Sequence, residues 1–205
     1  MTMKALLLLS GGIDSPVAGH LMGGKLDIVP VYFDNSPYAD ETTKKRTMDA
    51  ARKLGFKTLW IAPNGKNLTE FSKKCEAKYT CLFCKRMMYR IAEKLAKRIG
   101  AEVLVTGESL AQVASQTSWN LLVLDDAVSM PVIRPLIGFD KNEAIEISRR
   151  AGLFETSVRP VMCCTAVPNK PSTRADLQKI KREEKKVNIS KMVKDSLKKA
   201  EEIEC

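Results

Sequence analysis

The stretch Ser10-Gly11-Gly12-Ile13-Asp14-Ser15 follows an apolar run, Ala5-Leu6-Leu7-Leu8-Leu9, and precedes Pro16. The run has the length of a buried parallel strand. Pro16 suits a first helical turn, where its missing N–H has no partner to lose. Strand, glycine turn and helix start together make an anion site. The glycines let the backbone turn sharply and come close to a ligand. The N–H groups left over at the helix start then point at a negative group. Ser10 and Ser15 add hydroxyl donors. Asp14 is the odd member, because a carboxylate repels a phosphate; a Mg²⁺ ion bridging the two removes the conflict.

The loop is not a Walker A motif, since no Gly-Lys-Ser/Thr follows, and it lacks the third glycine of the dinucleotide fingerprint. An ordinary strand–turn–helix is the plain alternative. Ser-Gly-Gly-x-Asp-Ser resembles the PP-loop of the ATP pyrophosphatase family. That resemblance implies ATP as a substrate, cleavage between its α and β phosphates, adenylation of a carbonyl oxygen, and displacement of AMP by a nucleophile.

A chain of 205 residues is long enough for one sizeable domain with a small appendage. Its 44% hydrophobic and 28% charged content is ordinary for a folded soluble protein. The net charge of +10 is not ordinary and favours a polyanionic partner such as RNA, ATP or an acidic membrane. A generally lysine-rich proteome is the competing explanation. No stretch approaches the length needed to span a bilayer, and the apolar run near Met1 is too short for a signal peptide. A cytoplasmic protein with no membrane role is therefore expected. Its six cysteines then belong to reduced chemistry, metal binding or catalysis rather than to disulfides.

Further strands are expected at Ile28–Phe33, with Pro30 a blemish, at Lys57–Ile61, at Glu102–Thr106 and at Val132–Leu136. Helices are expected at Thr42–Leu54, closed by Gly55, at Asn67–Cys75, at Leu82–Ile99, and from Lys141 to Arg150 with Asp140 as its cap. In the long helix Phe83, Met87, Ile91, Leu95 and Ile99 form one apolar stripe, while Lys85, Arg86, Arg90, Lys94, Lys97 and Arg98 make a basic face. His20 is expected to pack within the first helix. Alternating strands and helices predict an α/β Rossmann-like parallel sheet with helices on both faces. Ligands of such sheets bind beyond the carboxyl ends of the strands, where both the Ser10 loop and the Gly107 loop fall. This domain is expected to span residues 1–171, followed by a basic helical extension over 172–205. The extension is charge-rich with sparse apolar positions, as in a solvated helix packed on the domain. An RNA-contacting or dimer-forming arm is the functional alternative, and a homodimer is compatible with it.

Cys81-Leu82-Phe83-Cys84 is a Cys-x-x-Cys motif at a helix start, where the helix terminus favours thiolate. Cys163-Cys164 lies far along the chain. Spacing leaves three readings open: a zinc site, a redox dithiol, and an iron–sulfur cluster on three thiolates with one iron open. Cys75 and Cys205 default to structural roles.

Together these motifs resemble the tRNA 4-thiouridine synthetase family, thiamine and thiouridine sulfurtransferases. Ser10–Val17 reads as the family's PP-loop. Asn35-Ser36-Pro37-Tyr38 looks like its second-strand loop, and Thr106 to Thr117 is similar to its most distinctive block. Arg134 to Lys141 resembles another. The resemblance implies an adenine-nucleotide alpha hydrolase-like PP-loop ATPase fold. It implies that O4 of a tRNA uridine is adenylated and replaced by sulfur. Ser10, Gly11, Gly12, Asp14 and Ser15 would hold pyrophosphate and Mg²⁺, and Lys141 would neutralise phosphate charge. Gly107, Gln112, Ser115 and Gln116 would line the nucleotide or uridine pocket. The family's catalytic cysteine matches Cys164 when Lys141, Gly152 and Pro171 are kept in register, with Cys163 the competitor. Cys81 and Cys84 resemble the archaeal and anaerobic branch, in which three cysteines hold a 4Fe-4S or 3Fe-4S cluster; here these would be Cys81, Cys84 and Cys164.

The family's THUMP region would precede residue 10 and its rhodanese domain would follow Pro171, so neither is expected here. A separate RNA-binding partner protein would then present the tRNA, and sulfide or a persulfide donor would bring the sulfur. The alternatives are a PP-loop enzyme thiolating or amidating a small metabolite, and a non-catalytic nucleotide- or RNA-binding module with a structural metal.

Overall fold

The computed structural model describes residues 2–160 and 164–205. In chain order the elements are β1 (Lys4–Leu8), α1 (Asp14–Met22), β2 (Asp27–Asp34), α2 (Glu41–Lys53), β3 (Thr58–Pro63), α3 (Gly65–Lys74), α4 (Thr80–Ile99), β4 (Val103–Val105), α5 (Ser118–Asp125), β5 (Val132–Ile133), α6 (Lys141–Arg150), α7 (Phe154–Ser157), α8 (Leu177–Glu184), α9 (Ile189–Lys198) and β6 (Glu201–Glu204). Single 3₁₀ turns lie at Ala77–Tyr79 and Ala114–Gln116. Among the described residues the strands form one sheet in the order β5-β4-β1-β2-β3-β6. All neighbours are parallel except β3 and β6. This is the α/β Rossmann-like sheet that the alternation of strands and helices predicts.

The apolar run of β1 is continuous because both of its faces are covered. Leu6 points into one core with Phe71, Phe83, Met87, Ile91 and Leu95. Ala5 and Leu7 point into the other with Val17, Ala18 and Ala51. Each leucine removed from water contributes about 1.5–3 kcal/mol, so β1 anchors both layers. Pro30 is tolerated in the middle of the sheet for a geometric reason. The Val31 carbonyl accepts from the Leu9 N–H of the β1 side, which turns the Pro30 nitrogen toward β3. Pairing there begins only at Val31 with Trp60, so no ladder bond is lost.

Several boundaries differ from the sequence expectation. β5 keeps only Val132 and Ile133, because Arg134 turns away to meet carboxylates. α5, capped by the Thr117 side chain, and the short α7 were not anticipated. His20 is exposed at the last turn of α1 rather than packed. The basic face of α4 is also not uniform. Arg86 is only 1% exposed and faces inward.

That inward arginine docks the C-terminal segment. Arg86 Nε and Nη2 donate to the two carboxylate oxygens of Glu184 in α8 at 2.9 Å each. Arg90 donates to the same carboxylate at 2.6 and 2.9 Å, and Arg86 also reaches the Val123 carbonyl and Asp126. Ile180, Met192 and Val193 of α8 and α9 enter the same core as Leu6. β6 then pairs with β3, Leu59 opposite Ile203. Residues 172–205 thus pack into the sheet and its core. No helix among the described residues is long and apolar enough to cross a membrane. Glu184→Ala leaves a buried guanidinium short of its partner, so it is expected to cost about 3 kcal/mol of stability. Urea unfolding followed by circular dichroism would measure it.

Candidate nucleotide site and cysteine cluster

β1 lies between β2 and β4, so the crossovers leave it in opposite directions and a crevice opens beyond its carboxyl end. The Ser10–Ser15 loop occupies that crevice. Its shape is set by two hydroxyls. Ser15 Oγ accepts from the Ser10 N–H at 2.8 Å and lies 2.9 Å from Ser10 Oγ, and Ser10 Oγ accepts from the Gly12 N–H at 3.3 Å. The N-cap position of α1, Ile13, has no side-chain cap, so the helix start keeps N–H groups for a ligand. α2 and the Gly107 turn press on the loop. A Cβ on Gly11 would come within 2.8 Å of Arg46 Nε. A Cβ on Gly107 would fall 2.4 Å from Ser15 N and 2.5 Å from the Asp14 carbonyl carbon. The turn after β4 therefore touches the N-terminus of α1 backbone to backbone, and only glycine fits there.

Lys141 arrives from 127 residues away. Asp140 caps α6 with a reciprocal bond pair to Glu143, which fixes Lys141 in the first turn. Lys141 Nζ donates to Asp14 Oδ1 at 2.8 Å. Both groups keep contact with solvent, so the pair is weak and open to exchange with an incoming anion and cation. Ser157 of α7 donates to the Gly12 carbonyl at 3.2 Å.

Beyond Gly107 the chain carries a buried charge that the sequence reading did not single out. Glu108 is 5% exposed. Its carboxylate accepts from Lys85 Nζ at 3.0 Å, Tyr89 Oη at 2.5 Å and Arg134 Nε at 2.9 Å. Burial alone would raise its pKa. Lys85, the Tyr89 hydrogen bond and Arg134 outweigh burial and hold it at about 2. The available signal was a carboxylate directly after an apolar strand, with cations at Lys85 and Arg134. Ser115 and Gln116 are buried in their 3₁₀ turn. The Gln112 side-chain Nε2 is buried with no hydrogen-bond partner among the described residues. An orphaned buried donor fits an acceptor brought by a ligand.

Cys81 and Cys84 lie in the first two turns of α4, and Cys164 is near enough to affect both. Thr165 N–H donates to the Tyr38 carbonyl at 3.0 Å, tying that stretch to the loop after β2. Burial raises the Cys84 thiol to about 12, and the nearby Cys164 and Cys81 add to it. Cys81 is raised by burial and by Cys164. Both thiols are thus pushed up by burial and by neighbouring thiols, opposite to the direction expected from the helix start alone. The three thiols lie within electrostatic reach of one another. Among the described residues no three His, Cys, Asp or Glu side chains stand as a finished metal-holding group. Cys163 lies outside the described residues. Cys75 is a structural thiol, donating to the Glu183 carbonyl at 3.4 Å and raised to about 11 by burial and Glu183.

The family described as "Thiamine biosynthesis protein (ThiI)" matches residues 1–189. The chain belongs to this family. It is 46% identical over 201 residues to a "Probable tRNA sulfurtransferase" of Methanosarcina acetivorans, covering 94% of this chain and 48% of that protein. It is similar to a 4-thiouridine synthetase solved as an RNA complex with bound ATP. There the TM-score is 0.93 at 35% identity over 98% of this chain and 55% of the other. The U34-tRNA thiolase NcsA of Methanococcus maripaludis, solved with its [4Fe-4S] cluster, shares the fold. Its TM-score is 0.60 at 15% identity, covering 96% of this chain and 70% of that one. The chain spans about half the length of the curated relatives it matches.

The Glu108 network makes acid stability a test of the geometry. Its carboxyl titrates at about 2 in the fold against an ordinary 4.5. The stabilisation is complete above about pH 4.5 and is lost as pH falls toward 2. Glu108→Gln is expected to cost about 3 kcal/mol at neutral pH by stranding Lys85 and Arg134. The difference from wild type should shrink between pH 4.5 and 2 in denaturant titrations.

Proposed function

We propose that this chain carries out ATP-dependent thiolation of a tRNA uridine. The uridine O4 attacks the α-phosphorus of ATP, the bond to the β-phosphate oxygen breaks, and pyrophosphate leaves. A sulfur nucleophile then attacks C4, and AMP departs with the original oxygen. The observation that carries this reading is the backbone contact of Gly107 with Ser15. It sets the turn after β4, which leads on to Gln112–Gln116, directly against the phosphate loop. The tRNA sulfurtransferase relatives and the RNA- and ATP-bound 4-thiouridine synthetase support the substrate class.

In this reading Ser10, Gly11, Gly12 and Ser15 bind pyrophosphate through backbone N–H groups and hydroxyls. Asp14 would hold Mg²⁺, whose chemistry is to neutralise the charge of the departing group. Lys141, released from Asp14, turns to the phosphate oxygens. Gly107, Gln112, Ser115 and Gln116 line the pocket for the adenosine or the uridine. Cys81, Cys84 and Cys164 would hold an iron–sulfur cluster, which would supply an iron open to sulfide; the [4Fe-4S] cluster of NcsA supports that choice. Cys163 or Cys164 as a persulfide carrier is the alternative sulfur route. The reaction is placed in the cytoplasm, where these thiols stay reduced.

The RNA contact is assigned to α9 and the outer face of α4. Lys191, Lys194 and Lys198 are exposed along α9. A groove of about 840 Å³ lies on one side of α9, against α3, and one of about 620 Å³ lies on the other, lined by Arg90, Lys94 and Arg98 of α4.

Asp14→Ala should leave the fold intact and lower formation of AMP and pyrophosphate by about 10²–10³-fold. Labelled ATP with added tRNA measures this; ADP and phosphate as products would reject the reading. Replacing Lys191, Lys194 and Lys198 by glutamine should flatten the salt dependence of tRNA binding. The slope of log affinity against log salt should fall by about 0.9 for each duplex phosphate contact removed. An unchanged slope moves the RNA to another face.

A further inference from the structure

We propose that Asn64 is a positioning residue for the Cys84 sulfur, braced from the C-terminal helix α9 through Asn67 and Ser196. The inference rests on the reading of Cys81, Cys84 and Cys164 as a thiolate metal site, and adds to it the group that aims one of the sulfurs.

Asn64 sits at the N-cap position of α3, where an asparagine ordinarily bonds the N–H groups of its own helix. Here its side chain makes no such bond. It turns away, with Nδ2 donating to Cys84 Sγ at 3.3 Å and to Asn35 Oδ1 at 2.9 Å. Asn64 is 1% exposed. A buried residue that abandons a local bond for a distant sulfur marks a place where function overrides local preference.

The direction of the amide is determined by its neighbours. Asn64 Oδ1 accepts from Asn67 Nδ2 at 3.1 Å, and Asn67 Nδ2 also donates to Ser196 Oγ at 2.9 Å. Flipping the Asn64 amide would set its oxygen against Asn35 Oδ1 and leave Asn67 Nδ2 facing an amine. In the observed arrangement Asn64 Nδ2 meets Asn35 Oδ1 and Cys84 Sγ, and Asn67 Nδ2 meets Asn64 Oδ1 and Ser196 Oγ, so the donors of both amides have acceptors. The backbone fixes the same place. Asn64 N–H donates to the Asp34 carbonyl at 2.7 Å. A Cβ on Gly65 would come 1.7 Å from the Ser36 oxygen, so the turn after β3 is pressed onto the loop that carries Asn35.

The chemistry follows from the donor. Asn35 Oδ1 lies 3.9 Å from Cys84 Sγ and can take only a thiol proton. Once the sulfur is a metal ligand that proton is gone. The Asn64 N–H bond survives, shortens in effect because its acceptor is now charged, and holds the ligand's orientation. Partners of this kind around a metal ligand change affinity by about 10–100-fold when removed.

The test uses reduced, metal-free full chain titrated with cobalt(II) alone under anaerobic conditions. Wild type should develop thiolate-to-cobalt charge-transfer absorption, and Cys84→Ser should lose intensity in it. Asn64→Leu, similar in size and without a donor, should bind cobalt about 10–100-fold more weakly. Its band should move to longer wavelength, since a thiolate without its hydrogen bond is a better electron donor. Ser196→Ala, at the far end of the relay and tolerant to folding, should shift affinity and band in the same direction by less. Asn64→Leu and Ser196→Ala titrating as wild type, with the band in place, would overturn the positioning role. A folded wild type that shows no thiolate band would instead remove the cysteine metal site, and the positioning role with it.

Discussion

The contact of Gly107 with the backbone of Asp14 and Ser15 is the constraint on which the rest of the site depends. Two strands of a parallel sheet can each end in a loop without those loops meeting. Here the absence of one Cβ lets the turn after β4 rest directly on the first turn of α1. The phosphate loop is then rigid from both sides, with Arg46 over Gly11 and Gly107 under Ser15. Lys141 and Ser157 only decorate a frame that backbone packing has already built.

Charge is buried in this protein where elements must be locked in register. Glu108 ties the loop after β4 to α4 and to the strand end at Arg134. Glu184 ties α8 to the same helix through Arg86 and Arg90. Both carboxylates would be raised by burial, and in both the neighbouring cations prevail. α4 is thus clamped at its middle by two ion networks and carries the cysteines near its start.

Much of this was legible in the sequence because it is local. The run Ala5–Leu9 with its glycine turn announces β1 and the phosphate loop, and Asp140 followed by Glu143 announces the start of α6. Pairings across the fold were not legible. Nothing near Arg86 says that it will be buried, since its place in the stripe of charged residues reads as solvent-facing. Glu108 sits inside a block that reads as a loop, and its cations lie 23 and 26 residues away. Asn64 reads as turn material after Pro63. Its role appears only when Cys84 and Ser196 come beside it. The thiols were misjudged for a similar reason: helix position is local, while burial and the approach of Cys164 are tertiary.

The sheet is also finished at both margins, and by opposite means. β5 offers two residues, too short a template for another chain to zip onto. The far margin is β6, Glu201-Glu202-Ile203-Glu204, laid antiparallel on β3. A second molecule approaching that rim would bring carboxylates face to face along the whole length of the strand. On a protein of net charge +10, this edge strand carries three glutamates in four residues. The same short segment that completes the sheet therefore disfavours a second strand pairing along it.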